Sequence, residues 1–397
     1  MEEINLIKQG VVDLVPLEDL ERKFKRFHKT KKPLRVKLGI DPSAPHLHLG
    51  HYVVLRKLRQ FQDLGHLAIL VVGDFTRRIG DPSGRTKARE MMTEEEIKKN
   101  MKDYEKQAFK ILDPCRTEIR YNSQWLGKLS FADIIKLTSK YTVARMLERE
   151  DFSKRFKENM PITIMEFLYP LAQAYDSVAI SADVELGGLD QKFNLLIGRD
   201  IQREYGQEPQ VIITVPLLIG VDGKWAMSQS RGNYIGITEP PYEMYGKVMS
   251  IPDEIVKQYF ELLTEVPWDE VKAFHPKDCK ARLAWEIVRF FHGGKKADEA
   301  KEEFERVFSR GERPSEVERV FINPGLIKKD GTIWIVDLLS GSSSVKSRSE
   351  AKRLIEQGAV WVSGKRIKSV DCDLPFEEGM LLRVGKRRFV EVFIEKG

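Results

Sequence analysis

The sequence predicts an α/β protein built on a mostly parallel sheet, followed by a helical segment and a small mixed segment. Three observations carry this. Short apolar runs alternate with amphipathic stretches from about residue 34 to residue 216. From Thr238 to about Phe321 the pattern is helical and rich in charge, without strand alternation. Beyond a linker at Gly325–Thr332, one short helical stretch is mixed with strand-like runs.

Leu34–Ile40 reads as the first strand of the sheet, and a helix from about Leu49 to Leu64 follows, closed by Gly65. His66–Asp74 is a second strand, apolar enough to be buried on both faces. Thr93 and Glu96 form a capping box that opens a long helix to about Leu112. The last strand of this domain is Gln210–Pro216. Sheets of this kind bind ligands at the carboxyl ends of their strands, which brings together the turn after Ile40, the Gly80–Arg85 loop and the segment after Val215. Helices are expected at Pro240–Met249, Asp253–Leu263 and Cys279–Phe291, then at Ser349–Ile355. In the tail, Ala359–Val362 is a strand, Ser363-Gly364 a hairpin turn, and Leu381–Val390 further strand.

A chain of 397 residues holds two or three domains. With 42% hydrophobic and 32% charged residues it has the composition of a soluble globular protein. No apolar run is long enough to span a membrane, and the start Met1-Glu2-Glu3-Ile4 has no leader character. Cys115, Cys279 and Cys372 are far apart and share no metal-ligand spacing, which excludes a disulfide framework and a zinc site as expectations and points to the cytoplasm. Residues 341–397 hold twelve Lys/Arg against eight Asp/Glu, +4 of the chain's +6, so a polyanionic partner is expected at this end.

The most informative stretch is Ile40–His51. His48 and His51, with Gly50 between them, stand at the start of a helix, where unpaired backbone N–H groups favour anions. Two imidazoles there can donate to a polyphosphate, and Gly50 gives a base or ribose access to the backbone. Nucleotidyl transfer suits such a site, because charge develops on the attacked phosphate and on the leaving pyrophosphate. Tyr169, Gln173 and Asp176 are spaced i, i+4 and i+7, which sets a phenol, an amide and a carboxylate on one helix face. Gly80–Gly84 is not a P-loop, since the Gly-Lys-Ser/Thr ending is missing.

These motifs together resemble the bacterial tyrosyl-tRNA synthetases, in the subgroup with Lys in the first strand. His48-Leu49-Gly50-His51 matches the class I "HIGH" signature. Glu166–Asp176 and Glu185–Asn194 match more specifically. Met227–Ile235 stands at the family's "KMSKS" loop, and Ser349–Ile355 with Gln357–Val362 resembles its S-four RNA-binding domain. The resemblance implies a Rossmann-like catalytic domain over 1–237 with a dimer-forming insertion at about 104–160. A helical anticodon-recognition domain over 238–328 and an S-four-like RNA-binding domain over 333–397 follow.

The same resemblance implies ATP-dependent activation of L-tyrosine, with Mg²⁺ screening the polyphosphate, and transfer to tRNA(Tyr) by a homodimer whose interface includes the region Tyr141–Leu147. His48, His51 and the loop residues Met227, Ser228, Gln229 and Ser230 would be catalytic. Tyr169, Gln173 and Asp81 would meet the tyrosine ammonium, Asp176 and Lys37 its phenol, and Gln191 its carboxylate or the α-phosphate. Asp41, Gly50, Gly188, Asp190 and Gln229 would serve ATP, with Arg85 and Arg89 approaching the pyrophosphate. Lys346, Arg348, Lys352, Arg353, Lys365, Arg366 and Lys368 are candidates for tRNA.

One departure stands out. The family loop carries two lysines that move onto the leaving pyrophosphate, and Ala226 and Gln229 occupy their places here. Weakened adenylate formation is the expectation, with Lys224 and Arg231 as partial replacements. A non-catalytic RNA-binding protein on the same fold and a tryptophan-specific synthetase are the competing readings.

Overall fold

The computed structural model describes residues 2–41, 46–80, 93–309, 317–345, 347–385 and 388–395. Asp81, Arg85, Arg89 and Lys346 lie outside these described residues. The chain separates into two compact units, 1–301 and 302–397.

Six strands form the sheet of the first unit: β1 (Asp13–Val15), β2 (Arg35–Ile40), β3 (Leu67–Val72), β4 (Thr117–Tyr121), β5 (Val184–Gly188) and β6 (Val211–Val215). Their order is β1-β6-β5-β2-β3-β4, parallel throughout except for β1. The chain winds outward to both sides of β2, which is bonded to β3 on one edge and β5 on the other. That reversal opens a crevice at the carboxyl ends of the strands. All of β6 and all but the first residue of β3 are buried, and every one of these buried residues but Thr214 is apolar, as expected for strands covered on both faces.

The expected helices form with small shifts of boundary. Leu49–Asp63 follows β2, and Gly65 takes φ +92° where the chain turns into β3. Glu94–Ala108 opens on the reciprocal Thr93–Glu96 capping box. Ile164–Ile180 carries Pro170 at its seventh position, beyond the four free N–H groups of the first turn, so the helix gives up the hydrogen bond to the Glu166 carbonyl there. The charged segment folds as helices Pro241–Met249, Val256–Leu263 and Pro276–His292 inside the first unit.

In the second unit β7 (Glu318–Ile322), β8 (Thr332–Trp334), β9 (Val360–Val362), β10 (Lys365–Arg366), β11 (Asp373–Pro375), β12 (Met380–Val384) and β13 (Arg388–Ile394) make a five-stranded sheet ordered β10-β9-β12-β13-β7 and a β8–β11 pair. Helices Ile335–Gly341 and Arg348–Glu356 close an apolar core around Leu338, Ile355, Leu382 and Val390. Two details differ from the expectation. β7 precedes the linker stretch yet pairs with β13. The run Leu381–Val390 is two antiparallel strands, because Gly385 at φ +66° breaks it.

Candidate active site

A cavity of about 520 Å³ lies in the crevice. Its walls come from the strand ends: Gly39–Asp41 after β2, Gly73 after β3, Gly187 and Gly188 at β5, and Val215–Leu218 after β6. His48, Gly50 and His51 close one side, Tyr169, Gln173 and Asp176 another, and Ala226, Met227 and Ser228 a third. Sequence positions from 38 to 228 thus converge on one space. A Cβ on Gly39 would meet nothing within 4 Å, so this backbone faces open cavity.

The histidines have a structural duty that fixes their chemistry. His48 is the N-cap of its helix, its Nδ1 accepting from Gly50 N at 3.1 Å, while the Nδ1 of His51 accepts from His48 N at 3.2 Å. With both Nδ1 atoms accepting, the neutral rings carry their protons on Nε2. Burial, aided by the neighbouring His51, lowers the His48 pKa to about 3, and burial lowers that of His51 to about 4. Both are therefore neutral donors near pH 7, not cations. Gly50 matters for a reason the sequence reading did not give: a Cβ there would lie 2.9 Å from the His48 ring, which the cap holds in place. Gly188 likewise makes room for the Asp190 carboxylate, 2.4 Å from where its Cβ would be, as well as lining the cavity.

Asp176 is buried and accepts from Trp125 Nε1 at 2.8 Å and Asn122 Nδ2 at 3.3 Å. Burial raises its pKa to about 7, against the lowering pull of Lys37 and these two donors. Asn122 also donates to Thr76 Oγ1. Gln173 Oε1 is buried without a hydrogen-bond partner among the described residues. Gln191 donates to Asp190 and accepts from Asn194. Trp125, Asn122 and Thr76 were absent from the sequence reading; they arrive from the ends of β3 and β4, and no local spacing links them to the Asp176 helix.

Lys37 differs from expectation. It does not line the cavity but lies fully buried beneath it, its ammonium 2.8 Å from Glu185 Oε1 and donating to Ser177 Oγ at 2.8 Å and to the Gln173 carbonyl at 3.0 Å. The protein thus takes two of its protons in hydrogen bonds and its charge in the ion pair with Glu185.

The 222–236 loop is ordered around Asn233, whose Nδ2 donates to Asp222 and whose Oδ1 accepts from Ser228 N at 2.8 Å. Its base pairs with the histidine turn through the His48–Gly236 bridge and Leu49 N to Ile235 O at 2.9 Å. Ala226, Met227 and Ser228 line the cavity. Gln229 does not, since its amide donates to the His46 carbonyl at 2.6 Å, and Ser230 bonds Ser228 instead. Arg231, expected as a replacement cation, stacks over Trp225 at 4.9 Å, and Lys224 is exposed; neither lines the cavity. Asp41 does line it, paired with Arg77 at 2.9 Å.

In the second unit Arg348, Lys352, Arg353, Lys365, Arg366 and Lys368 are all exposed. Lys352 lies over Trp334, Arg366 over Trp361, and Arg383, which the sequence reading passed over, also stacks on Trp361 at 4.8 Å. Among the described residues no three His, Cys, Asp or Glu side chains gather to hold a metal, and no helix is long and apolar enough to cross a membrane.

This sheet, with its crevice closed by a histidine-capped helix, is the catalytic fold of the class I aminoacyl-tRNA synthetases. The family model described as tRNA synthetases class I (W and Y) matches residues 29–309, and the S4 domain model matches residues 333–371. The chain belongs to the tryptophan and tyrosine family of that class. Among curated relatives, the tyrosine–tRNA ligase of Thermotoga maritima is 55% identical over 98% of this chain and 97% of its own length, and that of Aquifex aeolicus 50% identical over 98% of each. Solved structures with the same fold include a C-terminally truncated mitochondrial tyrosyl-tRNA synthetase of Aspergillus nidulans, at TM-score 0.62 and 24% identity over 77% of this chain and 93% of that one. The tyrosyl-tRNA synthetase of Archaeoglobus fulgidus complexed with L-tyrosine matches at TM-score 0.60 and 23% identity, over 76% of this chain and 99% of that one.

Proposed function

We propose that this chain is a tyrosine–tRNA ligase, which activates L-tyrosine with ATP and transfers it to tRNA(Tyr). The observation that carries the reading is the helix face Tyr169/Gln173/Asp176 opening into the same cavity as the His48/His51 cap. Asp176, held by Trp125 and Asn122, accepts from the substrate phenol. An indole would offer one N–H at a different reach, and phenylalanine would leave the carboxylate without its third donor, a strong basis for rejection. The unpartnered Gln173 Oε1, with Tyr169, suits the substrate ammonium.

In the first step the tyrosine carboxylate attacks the α-phosphate of ATP, the α–β bridging bond breaks, and pyrophosphate leaves. The protein aligns the two reactants and supplies no covalent nucleophile. Neutral His48 and His51 direct their Nε2 protons at the developing phosphate charge. Asp190 faces the ribose, and Gln191, oriented by Asn194, faces the tyrosine carboxylate or α-phosphate. Mg²⁺ enters on ATP as part of the substrate. In the second step the ribose hydroxyl at the 3′ end of tRNA displaces AMP from the adenylate.

The exposed basic residues of the second unit, with their stacked tryptophans, are assigned to tRNA. Phe131, Ile135, Val143 and Phe156 are exposed apolar residues of the 104–160 region, a surface fitted to a two-fold partner. The three unpaired cysteines accord with a cytoplasmic setting.

Tyrosine-dependent ATP–pyrophosphate exchange tests the reading, and charging of tRNA(Tyr) completes the test. Exchange that responds to tryptophan and not tyrosine overturns the specificity, and RNA binding with no tyrosine affinity overturns the enzyme.

A further inference from the structure

Arg77 stands on the short turn Thr76–Arg78 after β3. Gly73 allows this turn to fold back, since a Cβ there would lie 2.6 Å from Thr76 Oγ1. The Arg77 side chain is 8% exposed and lines the cavity. Its Nη1 donates to Asp41 Oδ1 at 2.9 Å, and its buried Nε has no hydrogen-bond partner among the described residues. A buried charged donor left unmade is costly, and an anionic oxygen in the cavity would relieve it.

The charge of the cavity sharpens the point. Among the described lining residues the acidic groups are Asp41, Asp176 and Asp190, and Arg77 is the one Lys or Arg. Both histidines are neutral. The loop side offers Ala226, while Gln229 is latched to His46 and Arg231 stacked on Trp225. Among the described residues, a polyphosphate entering this space meets a single side-chain cation.

We propose that Arg77 binds the ATP phosphates in this chain, exchanging Asp41 for a phosphate oxygen as the nucleotide enters, and so supplies the positive charge that the Ala226/Gln229 loop lacks. This rests on the reading that the cavity takes ATP. Asp41 then acts as a resting partner that keeps the guanidinium extended along the wall. Arg77 transfers no proton, as a guanidinium stays charged in proteins. As the bond between the α-phosphorus and the bridging oxygen breaks, the electron pair leaves with pyrophosphate, and Arg77 stabilises that growing charge through N–H donation.

The test uses the full chain and two readouts: ATP binding by calorimetry without amino acid, and tyrosine-dependent pyrophosphate exchange. Arg77→Met should weaken ATP binding at least about tenfold and slow exchange about 10²-fold, with tyrosine affinity unchanged. Arg77→Lys should recover part of both. Arg77→Met combined with Ala226→Lys should recover part of the exchange rate, because a cation returns to the cavity from the loop. Thermal unfolding checks that each variant is folded, and Arg77→Gln repeats the comparison should the methionine variant unfold. Wild-type ATP affinity and exchange in the methionine variant would overturn the proposal, as would equal losses of tyrosine and ATP affinity, the mark of a merely structural Arg77–Asp41 pair. Arg77-dependent ATP binding without any tyrosine-dependent exchange upholds Arg77 and sinks the tyrosine reading instead.

Discussion

The Gln229 side chain donates to the backbone carbonyl of His46 at 2.6 Å, tying the 222–236 loop to the turn that precedes the histidine cap across 183 positions of sequence. A lysine at 229 could not keep this hydrogen bond and reach a phosphate at once. Ala226→Lys with Gln229→Lys should release the latch and place two cations beside the cavity. Exchange should rise at least about tenfold while tyrosine affinity, measured by equilibrium binding, stays within about twofold.

Gly50→Ala tests the cap. The new Cβ would lie 2.9 Å from the His48 ring, forcing the imidazole from its hydrogen bond with Gly50 N. Alanine is the better helix residue by up to about 1 kcal/mol, which offsets part of the strain. Exchange should fall about 10²-fold with the unfolding free energy changed by less than about 1 kcal/mol. A variant of full activity would show the ring position to be unimportant.

Asp176 titrates near pH 7 in the folded protein, because burial disfavours its charge. The carboxylate accepts from a phenol more strongly than the protonated carboxyl does, so tyrosine affinity should rise as pH increases through about 7 and then level off. Stability runs the other way. The unfolded carboxyl loses its proton near pH 3.8, well before the folded one, so this group favours the fold at low pH and that contribution fades as pH climbs to about 7. Asp176→Asn should remove both trends, read from binding titrations and denaturant melts at pH 5 and pH 8.

His48 and His51 behave oppositely. Their folded pKa values, about 3 and about 4, lie below the ordinary 6.5, so the unfolded chain takes up protons first and stability is lost as pH falls from 6.5 toward 4. A variant with asparagine at both positions keeps capping groups without the titration. Its stability relative to the parent should improve steadily over that interval.

Lys37→Met leaves Glu185 charged and buried without its cation. Breaking a buried pair from one side costs about 3–5 kcal/mol, so the variant should unfold early, and Lys37→Met with Glu185→Gln should recover most of the loss. A variant of unchanged stability that loses only tyrosine affinity would restore Lys37 to the pocket.

Helical spacing made the cavity-facing set legible, because Tyr169, Gln173 and Asp176 share a face in any helix of that register. The histidine turn was legible from its place between a strand and a helix. Lys37 was misplaced for a physical reason: alternation along a strand says which face a side chain takes, not how deep the cavity reaches toward it. Trp125, Asn122, Thr76 and Arg77 gather only once β3 and β4 lie side by side, and a basic residue just past an apolar strand is too common a pattern to single one out. In the tail, the strand-like run 381–390 concealed a reversal that the positive φ of Gly385 and the antiparallel pairing of its two halves reveal.

The helix that His48 begins would be served as well by serine, threonine, asparagine or aspartate, the residues that ordinarily occupy its position. An imidazole is a bulky way to finish a helix end, tolerated because the next residue but one has no side chain. A descendant of this chain that gave up chemistry could exchange both for commonplace residues at no loss of architecture. Their presence together therefore marks a protein still organised around a reaction.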